Sequence, residues 1–233
     1  MFNKTADLYD QIYSFKDYEK ESLEITDLIQ SLKPNCQSIL DLGCGTAEHH
    51  KYLKQDFQID GLDINKDFIL VAQQKNPEGA FHFADMTDFE LGKTYDAIIC
   101  LFSSIGYVKT IDRLASTLQC IRRHLNPGGL VIIEPWLTPE TWYDGKLHML
   151  TYNTDDIKIC RMNQSQTRGI LSIIHFHYLV GTSDTGVSHF EEIHELALFT
   201  KQEMIDAFQQ AGFKVRYDAQ GITGRGIYSA FLS

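Results

Sequence analysis

The sequence predicts an α/β protein: a seven-stranded, mostly parallel sheet with helices on both faces and an antiparallel β insertion after strand five. Three observations carry this. Short apolar runs alternate with helical stretches from residue 38 to residue 134, the βα repetition of a parallel sheet. Residues about 140–199 then alternate polar and apolar positions with no helix between them, as an antiparallel sheet with one wet face requires. A capping box, Thr200-Lys201-Gln202-Glu203, reopens the βα pattern.

In order, an N-terminal helical segment covers 1–34. Within residues 19–32, Leu23, Ile25, Leu28, Ile29 and Leu32 fall near one helical stripe, and Pro34 ends it. SILDL (38–42) reads as a strand, AEHHKYLKQ as a helix and FQIDGLD (57–63) as a strand. KDFILVAQQK is a helix, AFHFA (80–84) and YDAIIC (95–100) are strands, and about 111–125 is a helix. The turn Asn126-Pro127-Gly128-Gly129 hands over to the strand LVIIE (130–134). In the insertion, 157–162, 170–180 and 189–199 read as strands. The helix MIDAFQQAG stops at Gly212. FKVRYD and GIYSAFLS then form a hairpin at the sheet edge, one of them antiparallel to the rest. The chain, 1–233, reads as one domain.

Composition narrows the function. At 233 residues the chain can bury about 70% of its unfolded surface without a disulfide or metal staple. A net charge of −10 with no Lys or Arg block disfavours a nucleic acid partner, whose phosphates need neutralising. The five scattered cysteines, with no Cys-x-x-Cys pair, predict free thiols in a reducing compartment and no zinc site. No signal-peptide core and no membrane-length apolar run is present, so a soluble, cytoplasmic protein is expected.

The sharpest motif is Asp41-Leu42-Gly43-Cys44-Gly45-Thr46-Ala47, directly after the first strand. Its glycines allow a tight turn and close approach of a ligand. Asp63 follows about twenty residues on, at the end of the second strand, where an acid accepts from both hydroxyls of a ribose. An acid before the glycines repels a pyrophosphate and suits a cation, which argues against a nicotinamide dehydrogenase. It favours the amino-acid end of S-adenosylmethionine. Asp85 and Met86, after the third strand, are placed to accept from an adenine amino group and to cover its ring. All three acids stand at carboxyl ends of strands, where open α/β sheets of this Rossmann-like kind bind ligands.

With DLGCGTA, GLDI, ADMTDF, FSSIGY and HLNPGG running into EPW, the chain resembles class I S-adenosylmethionine-dependent methyltransferases. More narrowly, KDYEKE (16–21), FSSIGY (102–107), EPWLTPET (134–141) and Thr223-Gly224-Arg225-Gly226 resemble the N,N-dimethyltransferases of TDP-linked 3-amino-sugars in desosamine and mycaminose biosynthesis. The resemblance implies an N-methyltransferase with S-adenosylmethionine as cofactor, a nucleotide-linked amino-sugar as acceptor and a homodimer. It implies that Tyr18 lies near the methionyl part beside the Asp41–Gly45 loop, that Ile64 accompanies Asp63, and that Leu101 lines the methyl channel. Tyr9 and Tyr107 would face the sugar; Trp136, Arg161 and Arg225 would form the nucleotide and diphosphate pocket. Phe2 stands near a position where the family has a tyrosine reaching the sugar, and the N-terminal stretch is shorter than the family's.

Read for their chemistry, some of these residues keep two readings. Tyr107 either orients the amine as catalytic residue or packs on the sheet as a loop tyrosine. Arg161 and Arg225 either meet a diphosphate or pair with surface acids. Trp136 stacks on a base or belongs to the core. Ser103 and Ser104 are expected to cap the following segment, and His124 to sit as a welcome cation at a helix C-terminus. His49 and His50, adjacent on a helix, point apart. His175, His177, His189 and His194 are expected on polar faces of the insertion, with no metal for want of carboxylates or cysteines beside them. Two other functions stay open: methylation of another small amine or hydroxyl compound, and a non-catalytic binding module on the same fold.

Overall fold

A computed structural model describes residues 8–232; Phe2 lies outside them. A short helix α1 (Tyr9–Ile12) precedes α2 (Tyr18–Leu32), whose first turn is capped by the Asp17 side chain accepting from Lys20 N. The sheet elements follow as β1 (Ser38–Leu42), α3 (His50–Leu53), β2 (Gln58–Asp63), α4 (Lys66–Lys75), β3 (Phe81–Phe83) and β4 (Tyr95–Cys100). A 3-10 turn (Ser104–Val108), α5 (Ile111–Arg123) and β5 (Leu125–Ile133) complete the first half. The insertion is β6 (Leu147–Asn153), β7 (Ile157–Arg168), β8 (Leu171–Thr182) and β9 (Gly186–Ala197). Then come α6 (Lys201–Gln210), β10 (Phe213–Asp218) and β11 (Ile227–Leu232).

The main sheet has seven strands in the order β10-β11-β5-β4-β1-β2-β3. All are parallel except β11, which runs antiparallel to both β5 and β10. Alternate residues feed two apolar layers, because a strand buried on both faces sends successive side chains to opposite sides. Leu40, Leu42, Ile98 and Cys100 pack with Leu114, Leu118 and Phe208 of α5 and α6. Ile39, Ala97 and Ile99 pack with Ile25 and Ile29 of α2. The order β4-β1-β2 puts the ends of β1 and β4 side by side at the reversal of strand order, which opens a crevice there.

The insertion is a four-stranded antiparallel sheet, β6-β7-β8-β9. On β8, Ile174, Phe176, Tyr178 and Val180 are buried, whereas His175, His177 and Leu179 face outward. The buried face packs against Ile12 and Tyr13 of the N-terminal segment, and Phe102, Tyr107 and Trp136 pack partly buried against the same layer. The insertion therefore walls the crevice.

Several local expectations change. The buried stripe of α2 is Ser22, Ile25, Thr26 and Ile29, and Leu23 is 61% exposed, because the short polar residues let α2 approach the α3 loop, where the Ser22 hydroxyl reaches His49 O. The helix expected over 47–55 contracts to one turn, since Ala47 at φ +60 belongs to the preceding loop. Asn126–Gly129 is a bulge inside β5: Tyr95 pairs with Leu125 and Ala97 with Leu130, so the four residues loop out. β6, with its exposed alternate apolar residues, was not foreseen, and β7 and β8 run longer than expected.

The capping box at Thr200 forms with both reciprocal bonds: Thr200 Oγ1 accepts from Glu203 N, and Glu203 Oε2 accepts from Thr200 N at 2.7 Å. Thr200→Ala is expected to lower the unfolding free energy by about 1 kcal/mol. Urea denaturation measures it, and an unchanged midpoint would contradict the cap's contribution.

Candidate active site

The loop after β1 turns on Gly43 (φ +73) and Gly45 (φ +57). Gly43 N and Cys44 N donate to Leu62 O at 2.7 and 3.1 Å, tying the loop to the end of β2. A Cβ on Gly43 would stand 2.6 Å from Ser104 Cβ, so the position needs glycine for space as well as for its left-handed backbone. Asp63 accepts from Gly45 N at 2.9 Å and from Asn65 N at 2.8 Å. Burial outweighs these bonds and pushes the Asp63 carboxyl up to about 6.

Asp41 has a partner absent from the sequence reading. His50 Nε2 lies 3.1 Å from Asp41 Oδ2, with its ring stacked on Phe81. His49 points the other way and meets Glu21 Oε2 at 2.9 Å, so the two rings do diverge. Glu21 also accepts from Lys16 Nζ, which lies 3.9 Å over the Phe102 ring.

Every expected site residue lines one of three adjoining clefts. Gly43, Gly45, Asp63, Ile64, Asp85 and Met86 line the first. Tyr18, Asp41, Cys44 and Leu101 line the next, again with the two glycines. Trp136, Arg161 and Arg225 line the largest, of about 590 Å³. Tyr9 borders all three, and Tyr107 borders the first and the largest. Asp85 is already engaged: Oδ1 accepts from Thr87 N and Oγ1, and Oδ2 accepts from Arg113 at 2.8 Å. Burial opposes its ionisation, but these donors together hold it below the usual carboxylate range.

The wall after β4 is built on a strained turn. Phe102 (φ +49) and Ser103 (φ +64) are successive left-handed residues with side chains, each costing of order 1–3 kcal/mol. Buried Glu134 holds the turn through Oε2, which accepts from Phe102 N at 2.7 Å, while its Oε1 accepts from Thr223. Ser103 Oγ donates to Pro135 O at 2.7 Å and accepts from Arg225 Nη1 at 3.0 Å. Ser104 Oγ donates to Gly43 O. Neither serine caps the 3-10 turn, contrary to expectation, because both hydroxyls are drawn to neighbouring loops. Glu134 was missed as a site residue, although EPW itself drew notice.

The two arginines are held by aromatic faces. The Arg225 guanidinium lies 5.3 Å from the Trp136 ring, and that of Arg161 4.6 Å from Phe176. Arg161 Nη1 donates to Tyr13 Oη at 3.1 Å, and Trp136 Nε1 donates to Ser172 Oγ. Among the described residues neither arginine makes an ion pair with a carboxylate; their partners are hydroxyls and aromatic rings. Burial pushes the Tyr107 phenol well above its ordinary value, and its Oη lies 2.6 Å from His194 Nδ1. His194 was also missed as a site residue; it stands on the inner face of β9 rather than on a polar outer face.

His124 stands at the C-terminus of α5, as expected: its Nδ1 donates to Cys120 O in the last turn, and its Nε2 accepts from Leu91 N, tying the helix end to the loop after β3. One histidine expectation needs correction. His175 and His177 do have a carboxylate beside them, Glu191, with ligand atoms within 4.8 Å of one another on the outer face of the insertion.

Fold and site together define an S-adenosylmethionine-dependent methyltransferase: the glycine cradle, a desolvated acid at the next strand end and a third acid beyond it suit that cofactor. Residues 39–129 match the family model of a methyltransferase domain. The chain is 36% identical over 226 residues to the dTDP-3-amino-3,4,6-trideoxy-alpha-D-glucopyranose N,N-dimethyltransferase of Streptomyces venezuelae, covering 96% of this chain and 95% of that one. It is 33% identical to the dTDP-4-amino-2,3,4,6-tetradeoxy-D-glucose N,N-dimethyltransferase of Saccharopolyspora spinosa, with 96% and 90% covered. The crystal structure of Streptomyces venezuelae DesVI matches with TM-score 0.93 at 34% identity, both chains fully covered. That of SAM-bound CalS10, an amino pentose methyltransferase from Micromonospora echinaspora, matches with TM-score 0.88 at 28% identity, with 100% and 98% covered. The chain belongs to the family of dTDP-amino-sugar N,N-dimethyltransferases.

The state of Asp63 gives a pH test. Protonation turns one of its acceptor oxygens into a donor, so a ligand that uses the ionised carboxylate binds more weakly as pH falls through about 6. Calorimetry with S-adenosylmethionine is expected to show that loss between pH 8 and 5, and Asp63→Ala to abolish binding. A flat affinity in wild type, or unchanged affinity in the variant, removes Asp63 as the ribose acceptor.

Proposed function

We propose that this chain acts as one catalytic unit that methylates the amino group of a TDP-linked amino-sugar with S-adenosylmethionine. The observation that carries the reading is the junction of clefts. Tyr9 and Tyr107 wall both the cofactor side and the 590 Å³ cleft, so an acceptor in the larger space reaches the cofactor between two phenols. The larger cleft is chemically suited to a nucleoside diphosphate. Arg161 and Arg225 offer planar guanidinium forks for phosphate oxygens, and the indole of Trp136 offers a face for a base. Relatives methylate amines at either the 3 or the 4 position of the sugar, by their names.

When bound, the cofactor supplies a methyl carbon made electrophilic by its sulfonium. The residues of this chain supply alignment and exclusion of water, which contribute on the order of 7–11 kcal/mol in well-oriented reactions. Tyr9, packed on Tyr13 and Phe68, is the roof of the junction. Asp63 and Asp85 hold ribose and adenine, with Met86 and Ile64 beside them, and Tyr18 covers the amino-acid end near Asp41. Leu101 borders the methyl path. Tyr107 presents its oxygen to the acceptor amine and so is the catalytic residue of this reading.

The outer face of the insertion exposes Leu147, Met149, Met162, Val187 and Ile193, which supports a homodimer through that face. Among the described residues no helix is long and apolar enough to cross a membrane, and five free thiols fit a cytoplasmic enzyme. Sedimentation velocity is expected to give a dimer that Met149→Glu with Ile193→Glu dissociates; a wild-type monomer at assay concentration contradicts it.

Mass spectrometry with TDP-linked 3-amino- and 4-amino-sugars is expected to show gains of one or two methyl groups. No product, with cofactor binding intact, discards the sugar in favour of another amine or hydroxyl compound; no cofactor binding points to a non-catalytic module. Arg225→Ala is expected to raise the acceptor KM by roughly 10-fold or more, the worth of a charged hydrogen bond, with cofactor affinity kept. Equal loss of both would mean misfolding.

A further inference from the structure

The inner face of the insertion is largely apolar, with the small polar residues Asn163, Ser165 and Ser172 buried among its apolar side chains, and it brings two ionisable groups together on β9. β9 presents Phe190, Glu192, His194 and Leu196 toward the layer of Ile174, Phe176 and Tyr178. Glu192 and His194 are 6% and 1% exposed there. Two ionisable groups in such a layer cost several kcal/mol of solvation unless they serve each other or a neighbour. They do both. His194 Nδ1 lies 2.6 Å from Tyr107 Oη, and its Nε2 faces Glu192 Oε2 at 3.7 Å. Tyr107 and His194 are within hydrogen-bond distance, and Glu192 stands behind them at ion-pair range, so the three are aligned from the cleft junction into the insertion.

We infer that His194 and Glu192 are positioning residues that act through Tyr107 to take a proton from the acceptor's ammonium before methyl transfer. The inference rests on the reading of Tyr107 as the residue facing the amine. A sugar amine is largely protonated at neutral pH and has no lone pair for the methyl until it loses a proton. In the step, an ammonium N–H bond breaks and an O–H bond forms at Tyr107. The original Tyr107 O–H bond breaks and an N–H bond forms at His194 Nδ1. The net result is a neutral amine, a neutral phenol and an imidazolium facing the Glu192 carboxylate. After turnover the imidazolium returns its proton to water. No oxidant, reductant or co-reactant is needed.

The relay requires one tautomer: with Nδ1 as the acceptor from Tyr107, the ring proton of the resting imidazole is on Nε2, toward Glu192. Burial holds the imidazole below its ordinary value and so favours the neutral acceptor at rest, while the Glu192 carboxylate works in the opposite sense and stabilises the charged state once formed. A phenol pushed well above its ordinary value does not accumulate as phenolate, so the two proton shifts are coupled through Tyr107. Among the described residues, the charged or titratable groups facing His194 include Tyr107 on the 3-10 turn, Glu192 on its own strand and Arg161 on β7. The arrangement resembles in logic a nucleophile, base and orienting acid, with the substrate amine in the place of the nucleophile.

Two measurements on the full-length enzyme test this. Nitrogen-15 NMR of the histidine side chains reads the tautomer without turnover. The expected result is an unprotonated, hydrogen-bonded Nδ1 at His194 that changes in Tyr107→Phe; an Nδ1–H in wild type overturns the relay. Kinetics with the TDP-amino-sugar then compare Tyr107→Phe, His194→Gln, Glu192→Gln and the Tyr107→Phe/His194→Gln pair. Glutamine at 194 still accepts from Tyr107 but takes no proton. His194→Gln is expected to lower kcat about 100-fold, the lower end for a positioned acid–base group, with acceptor KM and cofactor affinity kept. The double variant should match Tyr107→Phe alone, as for residues acting as a unit. Independent, additive losses, or wild-type kcat in His194→Gln, would sink the proposal. Wild-type enzyme that methylates no TDP-amino-sugar overturns the functional reading itself and is distinguished by the NMR result, which needs no substrate.

Discussion

At the end of β2 the Asp63 carboxylate is taken almost wholly out of water, and a charge so placed loses solvation that only fixed donors can replace. The donors are backbone N–H groups of Gly45 and Asn65, and they exist only if the loop after β1 turns back over the end of β2. That turn demands left-handed backbone at Gly43 and Gly45 and sets where Asp41 points. Asp41 in turn lies beside His50, which the contracted helix α3 delivers. A single buried carboxylate thereby links two strand ends, one loop and one helix.

A second acid organises the wall of the large cleft. Glu134, buried just past β5, accepts from Phe102 N and from Thr223, so it ties together the segments after β4, after β5 and before β11. The strain at Phe102 and Ser103 persists because this carboxylate and the Arg225–Ser103–Pro135 chain over-determine the turn. The same contacts bring Arg225 to the large cleft. Although the chain carries a net charge of −10, Arg161 and Arg225 both reach this cleft, whereas Lys16 at its rim is paired with Glu21.

The insertion completes the site rather than decorating it. Its inner face contributes Arg161 and His194, and its packing on α1 brings Tyr9 and Tyr13 into the crevice. The main sheet presents the glycine loop and its acids at strand ends, and the second sheet walls the larger cleft beside them.

Much of this was legible in the sequence because it depends on near neighbours. β1, β4, α4 and β10 fall on their expected residues, since periods of 2 and 3.6 and cap residues are local properties. The DLGCG turn, Asp63 and Asp85 are likewise local: a glycine after a strand and an acid at a strand end declare themselves within a few residues. Leu23 misled because a helix buries the stripe its neighbours accept, and small Ser22 and Thr26 let α3 come closer than leucine does. Asn126–Gly129 misled because a turn sequence and a bulge look alike until the partner strand is known. The sequence by itself determined the order of elements and the acids at the strand ends. Only the tertiary structure decided that Asp41 meets His50, that Glu134 spans three loops, and that Tyr107 meets His194, 87 positions away. Those contacts join residues whose spacing carries no period, so they exist only once the insertion has packed over the sheet.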